Sequence, residues 1–197
     1  MSSIQINGNT SGSITIEAPA VAGTNTLTLP ASSGTLATTA DIPAGGKILQ
    51  VLQVQKTDVF TTTSASLIDI TGLTLTITPS SASNKILFMA SIAGICTDNG
   101  VVQAYRDATI IAAGDASGSR TRSFTGSLWN GVFGTPSLMT ASINWLDTPN
   151  TTSPVTYKIK AGAVGGGTVI LGRNATNNND AQHTLAPQVI TLMEVEG

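Results

Sequence analysis

Cysteine, histidine, aromatic residues and charge are all scarce in this chain of 197 residues. A single cysteine, Cys96, excludes an intrachain disulfide. Its setting, Ser91-Ile-Ala-Gly-Ile-Cys96, fits a small buried hydrophobe better than a reactive thiol. The single histidine, His183, leaves any metal site to carboxylates or Cys96, and no close-spaced cluster supplies them, so neither a metal nor a cofactor is expected. A Ser-His-Asp arrangement is not ruled out by spacing, because its members come from distant positions. The chain nevertheless lacks a Gly-x-Ser-x-Gly elbow and a helix to carry it, so His183 reads as a loop or interface histidine.

Charged residues make up only 10% of the chain, against roughly 25% in an average globular domain, so its wet surface must be polar but mostly uncharged. Nine basic residues scattered singly, with a net charge of -2, offer no footprint for a phosphate backbone, and nucleic acid is not expected as a partner. The longest mainly apolar stretch, Ile86 to Ile95, is too short to span a bilayer, so no membrane insertion is expected. The start, Met-Ser-Ser-Ile-Gln-Ile, lacks the basic opening and apolar run of a signal peptide. The expectation is a chain made in the cytoplasm and assembled without secretion.

Phosphate-loop chemistry is missing as well. Gly165-Gly-Gly-Thr168 lacks the lysine and following helix, and Gly46-Lys47 runs into Ile48 where Ser or Thr is needed, so both read as turns. Most of the eleven acids, including Asp98, Asp107, Asp115 and Asp180, sit in turn contexts where a short side chain bonds its own backbone. Glu194 and Glu196 alternate on one strand, and sequence does not say what they face. No catalytic residue is assigned, and the chain is expected not to be an enzyme.

What is present has a period of two. In Gly72-Leu-Thr-Leu-Thr-Ile-Thr-Pro79, Leu73, Leu75 and Ile77 alternate with Thr74, Thr76 and Thr78, the pattern of a strand with one dry and one wet face. Thr24 to Pro30, Ser13 to Glu17 and Ile4 to Ile6 repeat it on a smaller scale. No helical period survives. Turn pairs such as Asn7-Gly8, Asn99-Gly100, Asn130-Gly131 and Gly114-Asp115 recur between β-branched runs, so the fold is expected to be all-β.

Two segments are apolar on both faces: Lys85 to Ile95 and Val189 to Val195. A single sandwich core covers only one face of a sheet, and no helices are written to cover the other, which leaves a second subunit. One side of the last strand, Val189, Thr191, Met193 and Val195, is the candidate subunit interface. Residues 1–43 are short Ser-, Thr- and Gly-rich strands with too few large side chains for a core, and they read as an attachment or collar segment. Asp41 to Gly46 serves as a linker, and residues 44–197, with both Trp and all four Phe, form the head domain.

The run from Gly12 through Ile14, Ile16, Pro19, Leu27, Leu29 and Pro30 to Leu36 resembles segments that recur in tail-fibre and other appendage proteins of tailed bacteriophages. The later phrases resemble the jelly-roll heads of such proteins: Gly46 to Gln53, Ile77 to Ser81, Tyr105 to Thr109, Leu146 to Thr152 and Ile190 to Glu194. The resemblance implies an antiparallel jelly-roll β-sandwich head, similar to the tumour-necrosis-factor-like fold, in a homotrimer within a virion. Residues 1–43 would then meet other virion proteins, and a host-surface glycan or protein is a candidate partner. No long repetitive shaft is present, so a short tail fibre, a neck or head fibre, and a capsid decoration binding only virion proteins all remain open.

Binding, if it occurs, belongs to polar loops holding a planar group. Arg173-Asn-Ala-Thr-Asn-Asn-Asn-Asp180 is the most polar loop, and its amides hydrogen-bond sugar hydroxyls in either sense. Arg173, Asn174, Asn177, Asn178, Asn179 and Asp180 are therefore candidate receptor contacts, with Trp129 and Asn130 beside the Asn130-Gly131 turn. Stacking on a sugar ring and ordinary packing stay equally open for Trp129, whereas Trp145 reads as core. Arg120 and Arg122 are read as protection of a strand edge before any role in binding acidic polymer.

Overall fold

The computed structural model describes residues 3–7, 9–17, 20–21, 23–24, 31, 46–125, 138–176, 178–181 and 183–197. The chain divides into two compact units, Met1–Ile42 and Pro43–Gly197, and the division falls inside the Asp41 to Gly46 stretch. The described residues form strands and no helix, so the protein is all-β with antiparallel sheets.

In the first unit, β1 (Ser3–Asn7) and β2 (Ser13–Glu17) make an antiparallel hairpin. Ile4 lies opposite Ile16 and Ile6 opposite Ile14, and Ile4, Ile6 and Ile16 are all exposed. A two-stranded ribbon is marginal in water, and this one shows no second layer among the described residues.

The second unit holds ten strands: β3 (Ile48–Lys56), β4 (Phe60–Thr62), β5 (Ile68–Ile77), β6 (Lys85–Cys96), β7 (Val101–Arg106), β8 (Thr109–Ile111), β9 (Met139–Asp147), β10 (Val155–Gly162), β11 (Val169–Leu171) and β12 (Gln188–Val195). They form a four-stranded sheet in the order β5-β10-β7-β8 and a six-stranded sheet in which β3-β12-β6-β11-β4 is extended by β9 pairing with β6.

Alternation decides which side chains meet. From β5, Ile70, Leu73 and Ile77 turn inward, from β10 Tyr157 and Ile159, and from β7 Val102 and Ala104. Ile86, Phe88 and Ile92 of β6 and Ile190 and Leu192 of β12 face them from the other sheet, in one continuous core. Leu52, Leu192, Phe88 and Trp145 stand opposite one another across four strands, and the Phe88 ring stacks on Tyr157 with centroids 5.9 Å apart. Trp145, read from sequence as core, lies at the end of that row on β9 and is 43% exposed, because among the described residues β9 has only β6 beside it.

Buried polar groups mark both ends of β12. Glu194 is 1% exposed and accepts through Oε1 from the Ser80 amide (2.6 Å), Ser80 Oγ (2.7 Å) and Asn84 Nδ2 (2.6 Å), and through Oε2 from Gln50 Nε2 (2.6 Å). Burial pushes its carboxyl up, but the hydrogen bonds from Asn84, Gln50 and Ser80 outweigh that and hold it at about 2. At the other end, buried Gln188 accepts the Ala93 amide through Oε1 at 2.7 Å.

The chain enters the second unit beside its own end: the Gly46 amide donates to Glu196 O (3.0 Å) and the Glu196 amide to Lys47 O (2.8 Å). Eight residues of β12 separate that end from Gln188, about 25 Å at the rise of a strand. Gly165 to Thr168 is a turn, with Gly166 and Gly167 at φ of 107° and 73°, which side chains with a Cβ rarely adopt.

Candidate functional site

The two sheets present different outer faces. On the four-stranded sheet, Thr76 faces Thr156 with hydroxyls 2.9 Å apart, and Asp69 accepts from Lys158 at 2.8 Å and pairs with Lys160 at 3.6 Å. The Lys160 ammonium also lies 4.7 Å from the Tyr105 ring centroid, and Tyr105 donates its hydroxyl to Gln103 Oε1. The hydrogen bond from Lys158, with the charge of Lys160, holds the Asp69 carboxyl below its usual range. This face meets its own polar needs and suits water.

The outer face of the six-stranded sheet also pairs polar groups, Gln53 with Thr191 (2.9 Å) and Gln55 with Gln53 (2.7 Å), but it carries an apolar row beside them. Val51, Met193, Leu87 and Leu146 line up in register across β3, β12, β6 and β9, with Val51 53% and Leu146 49% exposed. The next row is Gln53, Thr191, Met89 and Asn144, and the third is Gln55, Val189, Ser91 and Ser142. None of these residues is charged. A shallow depression of about 350 Å³ follows the second and third rows, lined by Met89, Ser91, Ser142, Asn144, Val189 and Thr191. The interface candidates Val189, Thr191, Met193 and Val195 thus share one side of β12, half-buried and turned away from the core, and Val195 stands opposite Ile48.

The candidate contact loop lies at the Gln188 end. An isolated bridge between Arg173 and Leu185, and the bond from the Ala186 amide to Gly172 O (3.0 Å), pinch the base of the loop shut. Gly172 in turn donates its amide to Ala93 O of β6 at 2.9 Å, which fixes the base to the six-stranded sheet. Within the loop is a cleft of about 320 Å³ lined by Arg173, Asn174, Thr176, Asn178, Asn179, Asp180, His183, Thr184 and Leu185.

Arg173 uses Nη1 inside its own loop, donating to the carbonyls of Asn174 (2.8 Å) and Ala175 (3.1 Å). Asn174 is 2% exposed, so it belongs to the framework more than to the surface, whereas Asn178, Asn179 and Asp180 are exposed. His183, which the sequence did not mark for this site, brings its Nδ1 to 2.5 Å from Asp180 Oδ1, and its Nε2 is shielded from solvent without a partner among the described residues. Trp129, Asn130 and Asn177 lie outside the described residues. Leu87, Val51 and Leu146 were likewise unmarked; alternation showed that each had an outward side, but not that β3, β6, β9 and β12 are neighbours. Among the described residues no group of three or more His, Cys, Asp or Glu side chains is gathered closely enough to hold a metal. Compared with protein-family models and with curated proteins, the chain matches none.

Proposed function

We propose that this chain is a structural subunit of a bacteriophage virion, a short homotrimeric tail fibre or appendage whose head presents the 173–185 loop to the host surface. The observation that carries the reading is the uncharged row Val51, Met193, Leu87 and Leu146 on the outer face of one sheet, against the charged and self-paired face of the other. Fully burying a Leu or Met side chain contributes about 1.5–3 kcal/mol, so copies that cover this row for one another gain several kcal/mol each.

A jelly-roll topology is supported by the repeated crossings of the chain between two sheets, β3, β4, β6, β9, β11 and β12 in one and β5, β7, β8 and β10 in the other. Polarity supports presentation. Within the head, Gly46 lies beside Glu196 at the Val195 end of β12 and the most polar loop lies at the Gln188 end, which supports presentation of that loop. Three identical weak sites per trimer then gain roughly 10²- to 10⁴-fold by avidity. The resemblance of Gly12 to Leu36 to fibre segments supports the virion setting.

The purified full chain is expected to adsorb to host cells and block infection. If it binds virion proteins but leaves adsorption untouched, the chain is a capsid or neck decoration instead.

A further inference from the structure

We infer that the cleft closed by the 173–185 loop binds a single neutral hexopyranose residue, with His183 Nε2 as the buried atom that receives a sugar hydroxyl. The inference deepens the host-presenting reading and rests on it for the choice of a surface sugar. Its chemistry rests on the cleft itself.

Size comes first. Ligand cavities run from about 300 to 1,000 Å³, and at about 320 Å³ this cleft admits one ring, not a stretch of polymer. Its wall is made of groups that both give and take hydrogen bonds, the amides of Asn178 and Asn179 and the hydroxyls of Thr176 and Thr184, which suits hydroxyls that do the same. Leu185, 75% exposed, supplies the apolar patch on which the C–H face of a pyranose rests.

His183 gives the site its specific demand. A carboxylate only accepts, so the 2.5 Å contact to Asp180 Oδ1 places a hydrogen on Nδ1, and in the form of the ring that carries one hydrogen Nε2 is then an acceptor. That atom is out of solvent and without a partner among the described residues, which is uncommon, because buried polar atoms are nearly always bonded. A sugar hydroxyl completes it once the side chains covering Nε2 move aside. Charge then selects among sugars: the Asp180 carboxylate lines the cleft, and Arg173 already bonds the carbonyls of Asn174 and Ala175. Arg173 and Asp180 line the cleft together and their charges offset one another, so no net positive charge is left to draw an anionic sugar.

The test is a titration of the full-length chain with glucose, galactose, mannose and N-acetylglucosamine, and with glucuronate for comparison, followed by NMR. The chain has one histidine, so the imidazole signals have one source. At least one neutral sugar is expected to shift the His183 resonances saturably with a dissociation constant in the millimolar range, and glucuronate to bind about tenfold more weakly. His183→Ala should abolish sugar binding, followed for that variant by saturation transfer to the sugar protons. Should that variant fail to fold, Asn179→Ala, at an exposed position, should weaken binding about tenfold without changing the melting temperature. No saturable shift with any of the four neutral sugars up to about 100 mM, or glucuronate binding as tightly, overturns the inference. A trimer that blocks adsorption yet ignores all five sugars sinks this inference and spares the host-presenting reading. Sugar binding by a chain that never adsorbs does the reverse.

Discussion

Tyr157 on β10 donates its phenolic hydrogen to Asp147 Oδ2 on β9 at 2.7 Å, joining the two sheets across the edge of the core. Arg106 on β7 donates to the same oxygen at 2.8 Å, so one carboxylate of the six-stranded sheet holds two donors from the four-stranded one. Burial first, then the bond to Asp147, pushes the Tyr157 phenol well above its ordinary range. Tyr157 keeps its proton as a fixed donor.

Removing either member should therefore loosen the sandwich. Tyr157→Phe is expected to cost about 1–2 kcal/mol by leaving Asp147 a partner short. Asp147→Ala should cost about 3 kcal/mol by leaving the Tyr157 hydroxyl without its acceptor and Arg106 Nη1 with the Thr148 carbonyl alone. Urea unfolding at one fixed chain concentration measures both, and an unchanged stability in Asp147→Ala would show that the bridge contributes nothing.

Acid should act through Glu194. Its folded value of about 2 lies below the unfolded 4.5, so its contribution is complete above pH 4.5 and is lost as pH falls toward 2. The amount at stake is on the order of 3 kcal/mol. Glu194→Gln keeps the shape but turns an amide NH₂ toward donors, so it should lower stability at neutral pH and flatten the profile between pH 5 and 2. A variant with the parent's acid profile would place the pH dependence elsewhere.

Gly94 is required by a close approach of strands. A Cβ there would run into the Leu171 side chain and come within 2.8 Å of Ile170 O on β11. Gly94→Ala should cost roughly 1–3 kcal/mol by overpacking, read as a lower denaturation midpoint with an unchanged slope.

Alternation made part of this structure legible. Leu73 and Ile77 of β5 are buried while Thr74 and Thr76 are exposed, as the Thr-alternating run implies, and the two apolar sides of β6 and β12 were visible as well. Assigning Val189, Thr191, Met193 and Val195 to the interface put the other side of β12 in the core, but what that side's polar residues bond was not legible. Both sides carry apolar residues, and the inner side holds Gln188 and Glu194, whose partners Ala93, Ser80, Asn84 and Gln50 are supplied by distant strands and loops. Trp145 was misread for a related reason, since its exposure depends on β9 having a single neighbour among the described strands. In the cleft, the polar run marked the loop, but the pairing of His183 with Asp180 needed the Arg173–Leu185 bridge that closes it.

The outer row of the six-stranded sheet gives the most direct test. Sedimentation equilibrium of the full chain at micromolar concentration should return three chain masses. Met193→Glu should raise the dissociation constant by at least about 100-fold and yield a folded single chain, while Thr76→Glu on the opposite sheet should leave the mass unchanged. A folded parent that sediments as one chain, with Val51, Leu87, Leu146 and Met193 open to water, would contradict the account.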